Sequence, residues 1–255
     1  MRITLRYYSD LFKYHLTIRG YCMKKFRLLF LISLLPLFGF SWPFSMFMAP
    51  EPSISLGSNS WVAREFQLIK AHAPNIDNRV LKLSLQAYLN ARRLGYASKG
   101  LLMVMDYSKP STEKRLWVFN LKNGKTLFNT WASHGKNSGG VLSTSFSNQR
   151  GSLKSSLGVF VTESAYMGGN GYSLRLKGLE KGINDQAYNR AVVIHGAWYV
   201  NPDTIRKYGQ IGRSWGCIAV GTQLSRVLID TIKNDTLVFA YYPNQKWLSN
   251  SRFLA

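Results

Sequence analysis

The stretch "LLMVMDYSKPSTEKRLWVFNLKNGKTLFNTWASHG", Leu101 to Gly135, decides the class of fold. Ahead of it the apolar residues keep helical spacing. Within it, "LLMVMDYS", "RLWVFNL" and "TLFNTWASHG" are rich in β-forming residues, and the Asn123-Gly124 pair between the second and third is a strong hairpin signal. Working outward, further strands are expected at "GVFVTES", "YSLRLKGL", "AVVIHGA" and "TLVFAYYP", set apart by Gly, Asn and Ser. Residues 99–243 therefore read as a mostly β domain with few helices. One short helix is expected where Asn201 caps, Pro202 and Asp203 fill the first turn and Gly209 stops it. Another is expected from about Thr222 through "QLSRVLIDTIKN".

Upstream, "WVAREFQLIKAHA" and "IDNRVLKLSLQAYLNARRLG" predict two helices, the second capped by Asn75 or Asp77 and ended by Gly95. They carry no catalytic cluster and read, with the loop before them, as a linker and helical appendage over 50–98. His72 within them reads as structural or solvent-facing. Residues 244–255 read as a C-terminal tail.

The first 49 residues divide in two. From Met23, "MKKFRLLFLISLLPLFGFSWPFSMFMAP" has a basic start and then an uncharged run from Leu28 to Ala49, the layout of a secretory signal. The run is long enough to span a bilayer, although Pro36 and Pro43 interrupt it and Pro50 disfavours cleavage directly after Ala49. Residues 23–49 are thus expected to be a cleaved signal or an uncleaved anchor, with membrane attachment through 28–49 in the second case. Residues 1–22 fit no signal pattern and read as an extension ahead of a biological start at Met23. Either way the body lies outside the cytoplasm.

Export sharpens the meaning of charge and cysteine. The formal net charge is +21, of which the first 27 residues hold +6, so the body itself carries +15. A basic body suits polyanionic surroundings: nucleic acid, anionic lipid or a carboxylate-rich wall polymer. Export and the lack of any nucleic-acid motif put nucleic acid far behind. Of the two cysteines, Cys22 precedes the apolar run, which leaves Cys217 without a disulfide mate in an oxidising compartment.

Cys217 sits in "RSWGCIAV" and His195 ends "AVVIHG". A thiol needs a neighbouring base or cation to attack at neutral pH, and one His with one Cys on adjacent loops is the minimal nucleophile–base pair. Gly196 leaves the space beside His195 uncrowded, and the amides around Gly216 and Cys217 are candidates for an oxyanion hole. Singly, Cys217 reads as a small buried hydrophobe and His195 as a satisfied strand-end residue. Together, with export and the flanking glycines, they favour chemistry. His134, His195 and Cys217 lack the close spacing of a metal site, and no Gly-x-Ser-x-Gly elbow supports a serine triad, so no metal is expected.

These residues resemble the L,D-transpeptidase catalytic domain of the YkuD type, in its murein L,D-transpeptidase branch. The resemblance rests on His195-Gly196 and Ser214-Trp215-Gly216-Cys217. It extends over "HGKNSGG", "TSFSNQRGSLKSSLGVFVT" and "GYSLRLKGLE", roughly Leu101 to Tyr242. It implies a sandwich or barrel-like β domain, no cofactor, Cys217 as nucleophile and His195 as base. The implied reaction cleaves the bond before the terminal D-Ala of a peptidoglycan tetrapeptide stem. The acyl group then passes to a diamino-acid amine in a 3-3 cross-link, or to water in a carboxypeptidase. One position departs from the family, whose usual His two before the cysteine is Trp215 here, a residue that shuttles no protons and reads as a groove wall. Ser214 and Arg213 are candidates for loop support or for holding a substrate carboxylate. His134, Gly196 and Tyr172 are weaker candidates for the cleft. A rival reading from another class is a wall-binding module with an inert cysteine.

Overall fold

The structure, a computed structural model, describes residues 60–255. The extension over 1–22, the signal or anchor over 23–49 and the loop ahead of Ser60 lie outside the described residues. Among the described residues no helix is long and apolar enough to cross a membrane.

Two helices open the fold, α1 (Ser60–His72) and α2 (Asn78–Arg93). Asp77 is the cap of α2: its carboxylate accepts from the Arg79 and Val80 amides at 2.8 and 3.0 Å. Gly95, at φ +86°, lets the chain turn away after the last helical turn. The apolar face of α2, with Val80, Leu81 and Leu85, belongs to the same hydrophobic cluster as the sheet and packs over β1 (Leu101–Asp106). Trp61 of α1 stacks on Tyr88 of α2 with ring centroids 5.7 Å apart. The helices read as an appendage therefore cover the sheet.

The sheet continues with β2 (Leu116–Asn120), β3 (Lys125–Thr130), β4 (Gly158–Gly168), β5 (Gly171–Gly178), β6 (Val193–Ala197), β7 (Ile218–Gly221) and β8 (Leu237–Tyr241). Their order is β3-β2-β1-β8-β4-β5-β6-β7, with the β1–β8 and β6–β7 pairs parallel. β1 and β8 are buried at every residue, which explains their continuous apolar runs. The Asn-Gly hairpin forms, but with a four-residue loop: Asn120 pairs with Lys125, and Asn123 accepts from the Lys125 amide at 3.1 Å.

The third predicted strand, expected through Gly135, leaves the ladder at Thr130 because its continuation changes partner. The Ser133 amide donates to Ala219 O of β7 at 2.8 Å. Ser214 then bridges Gly135, its amide donating to His134 O and its carbonyl accepting from Lys136 N. Chain leaving one edge of the sheet thus meets the other edge, and the sheet becomes a nearly closed barrel.

Three helices follow or interrupt the late strands: α3 (Pro202–Tyr208), α4 (Thr222–Ile232) and α5 (Gln245–Asn250). α3 has the expected Asn201 cap and left-handed Gly209 stop. α4 lies against β6. Residues 244–255, read as a tail, fold back instead. Trp247 is 2% exposed and packs on Phe239, and its indole N–H donates to the buried Glu180 carboxylate. Glu180 also accepts from Ser251 Oγ and the Val159 amide, so one carboxylate fastens α5 to β4.

Candidate active site

Alternation along β6 sorts its residues onto two faces. Ile194 enters the main core, while Ala197 joins a second small cluster with Val200, Ile211 and Ala219. His195 shares the face of Ala197. β6 and β7 run parallel with Ile194 opposite Ile218 and His195 opposite Ala219. Continuing that register by one residue sets Cys217 beside Val193, on the face that carries His195 and diagonal to it. On the other side, Ser173 of β5 is the direct cross-strand partner of His195.

His195 is 5% exposed, and its Nδ1 lies 2.9 Å from the Gly196 carbonyl. A carbonyl only accepts, so Nδ1 carries the proton and Nε2 keeps its lone pair. Burial holds the imidazole below its ordinary value, with the Gly196 contact opposing, so the ring is a neutral base at neutral pH. Cys217 is 9% exposed, and its Sγ donates to Ala191 O at 3.6 Å. Burial pushes the thiol up, against the Val193 amide and the Arg190 cation, which favour thiolate. The pair rests as neutral thiol and neutral imidazole.

The turn before Cys217 is built by Ser214. Its Oγ donates to Cys217 O at 2.7 Å and accepts from the Gly216 amide at 3.1 Å. That corrects the oxyanion expectation for Gly216, whose N–H is engaged within the turn. Gly216 has φ +122°, and a Cβ there would stand 2.8 Å from Lys154 O, so only glycine fits. Trp215 is 75% exposed with Lys136 Nζ 5.8 Å from its ring centroid. Arg213 donates to Gly139 O at 3.0 Å and so ties the turn to the 136–139 loop.

Three weaker candidates take other places. Gly196 faces α4: a Cβ there would lie 2.5 Å from Ser225 Oγ, so its missing side chain admits the helix rather than a ligand. Its carbonyl is what it gives the site, and it is the group that orients His195. Tyr172 is on the opposite face from Ser173, with its hydroxyl donating to Asp230 at 2.7 Å and its ring under Arg226 of α4. That is away from the His195 face.

His134 is buried with both ring nitrogens engaged. Arg115 Nη2 donates to Nδ1 at 2.7 Å, and Nε2 faces Gly139 O at 3.4 Å. Burial first, then the Arg115 cation, lowers it to about 4, while burial lowers Arg115 itself to about 10. His134 thus stays neutral in the fold where the unfolded chain would bind a proton. Stability from this residue is complete above about pH 6.5 and is lost as pH falls through about 4, a span worth about 3 kcal/mol. Urea titrations at pH 7 and pH 4.5 should show the loss, and His134→Gln should flatten it.

Sequence reasoning missed Arg190, Ser173, Tyr107 and Tyr199. Burial shifts both tyrosines up and Arg190 down, and the charge of a Cys217 thiolate adds a smaller upward push at all three. Among the described residues no group of three His, Cys, Asp or Glu side chains is placed to hold a metal ion. A cavity of about 760 Å³ lies between Phe146, Leu179 and Trp247, and neither Cys217 nor His195 lines it.

The model of the L,D-transpeptidase catalytic domain family matches residues 72–241. Among solved structures, the chain is similar to an L,D-transpeptidase from Mycobacterium smegmatis, with 15% identity over 56% of this chain and 59% of that one, at TM-score 0.35. It is similar to an L,D-transpeptidase from Stackebrandtia nassauensis, with 14% identity over 72% and 78% at TM-score 0.35. It is also similar to L,D-transpeptidase 3 from Mycobacterium tuberculosis, with 13% identity over 56% and 61% at TM-score 0.35. The chain spans about 59% of the length of the first mycobacterial structures it matches. No curated protein matches it.

Proposed function

The chain belongs to the L,D-transpeptidase catalytic domain family, and on that premise we propose that it is an exported acyltransferase of the cell wall with Cys217 as nucleophile and His195 as base. The observation that carries this reading is the fixed His195 ring. With Nδ1 bonded to Gly196 O, its bare Nε2 is available on the face and beside the strand where the chain's only described cysteine lies.

In the proposed reaction His195 Nε2 takes the thiol proton as Sγ attacks the carbonyl carbon before the terminal D-Ala of a tetrapeptide stem. The tetrahedral intermediate collapses as the imidazolium returns that proton to the departing D-Ala nitrogen, leaving a thioester on Cys217. A diamino-acid amine on a neighbouring stem then attacks the thioester, His195 takes the proton it sheds, and the thiol is regenerated with a 3-3 cross-link. The +15 body and the signal layout support a carboxylate-rich wall as the setting. The catalytic unit takes in α2 and α5 with residues 99–243, since Leu85 and Trp247 complete the core beneath the sheet.

Incubating the full-length chain with a purified tetrapeptide muropeptide, with intact-protein mass spectrometry and product chromatography, tests this. A transient acyl adduct, released D-Ala and 3-3 dimers are expected. Release of D-Ala without dimers would assign water as the acceptor. Binding with neither adduct nor turnover would overturn the enzymatic reading in favour of a wall-binding module.

A further inference from the structure

Arg190 lies in the turn that leads into β6, half-buried, and among the described residues its guanidinium hydrogen bonds go to neutral groups. Nη1 donates to Ser147 O and Ser156 Oγ; Nη2 donates to Ser152 Oγ at 3.2 Å and to Lys154 O at 2.7 Å. None of the ion pairs among the described residues includes it. Asp185, the acid on the same segment, is engaged by Asn148 and the Gly182 amide. On its outer side Arg190 borders an open cavity of about 690 Å³ lined by Asn148, Gln149, Arg150, Gly182, Gln186 and Asn189, with no carboxylate. A guanidinium withdrawn from water without a counter-charge is costly unless an anion forms beside it.

Its inner side meets the cysteine turn. Lys154 O, which accepts from Nη2, is the atom that a Cβ on Gly216 would strike at 2.8 Å, and Nη2 itself would stand 3.6 Å from that Cβ. Ser155, between these partners, takes the Gly135 amide on its Oγ at 3.0 Å and donates to Gly216 O at 3.4 Å. The residue after Arg190 supplies the carbonyl that Cys217 Sγ contacts. His195 of β6, which burial holds down, and Tyr107 and Tyr199, which burial pushes up, are all neutral at rest. The Lys154 ammonium turns to Ser145 Oγ at 2.7 Å.

We propose that Arg190 is a positioning residue of the cysteine site: its fork holds the 152–156 wall against Gly216, and its charge is the counter-ion of the Cys217 thiolate. The inference rests on Cys217 being the nucleophile. The charge has its effect only once the thiol proton has left. A cation that meets no carboxylate at rest therefore favours the attacking form over the resting form.

The test is the pH profile of alkylation at Cys217 in the full chain, followed by peptide mass spectrometry so that Cys22 is counted separately. Arg190→Gln should move the midpoint upward and slow alkylation by iodoacetamide near pH 7 by about tenfold, the equivalent of one pK unit. Arg190→Lys should keep the midpoint near the wild-type value. The wild-type chain should also react with anionic iodoacetate, relative to iodoacetamide, faster when folded than when unfolded in urea, a preference that Arg190→Gln removes. A folded Arg190→Gln variant with the wild-type midpoint overturns the proposal. So does a wild-type iodoacetate preference no greater than in urea, which decides the matter should the variant not fold. Neither readout needs a muropeptide, so loss of the transpeptidase reading and loss of this one are separate results.

Discussion

Replacing Cys217 with alanine abolishes the acyl adduct and the 3-3 dimers in a muropeptide incubation, with turnover falling by more than about 10⁴-fold. The loss is that of the covalent step itself, since no other described cysteine is present to form a thioester. The fold is expected to survive, because Ser214 Oγ holds the backbone carbonyl of residue 217 and not its side chain. Thermal melting of the variant, alongside mass spectrometry and chromatography, checks both halves. A folded Cys217→Ala chain that still forms dimers would show that acyl transfer takes another route.

His195→Ala lowers turnover by about 10²–10⁴-fold and changes the shape of its pH dependence. In the wild type, burial keeps the imidazole neutral below the usual imidazole range, so the rate falls only when the medium is acidic enough to protonate Nε2. The variant has no base to lose. Its residual rate instead climbs with pH as hydroxide ionises a thiol that burial has pushed up. Rate profiles of both proteins across the accessible range decide this, and a His195→Ala profile that keeps the wild-type midpoint and plateau would sink the assignment.

Much of this arrangement was legible in the chain, and the exceptions have physical causes. Long apolar or alternating runs such as Leu101–Asp106 and Leu237–Tyr241 announce strands because neighbours on both sides enforce the pattern. β7 escaped, since Ile218–Gly221 is only four residues long and passes directly into α4. Its brevity also hid the parallel register that sets Cys217 diagonal to His195 on one face. The 244–255 segment looked like a tail because Trp247 and Phe253 are its principal buried anchors, and a single Glu180 some seventy residues away holds the first of them. Arg190 gave no signal for the same reason of distance. Its partners are serine hydroxyls and main-chain carbonyls 34 to 43 residues upstream, groups that carry no pattern of their own. Gly196 was visible but misread, because sequence cannot say which side of a strand a missing Cβ leaves open.

The chain between the two motifs closes on itself. Val200 N donates to Ala197 O and Gly212 N to Tyr199 O, with Gly212 so close to the Tyr199 ring that a Cβ would stand 2.6 Å from it. Those contacts pin both ends of the excursion that carries α3, while β6 with His195 and the turn into β7 with Cys217 are held by the sheet, by α4 and by Ser214. Lengthening such a loop raises its closure cost only logarithmically, by about 0.6 kcal/mol for each doubling. The excursion that carries α3 is therefore free to diversify by insertion while the reacting pair stays in register. Divergence in what this scaffold accepts is expected to accumulate between Trp198 and Arg213 before it touches the strands.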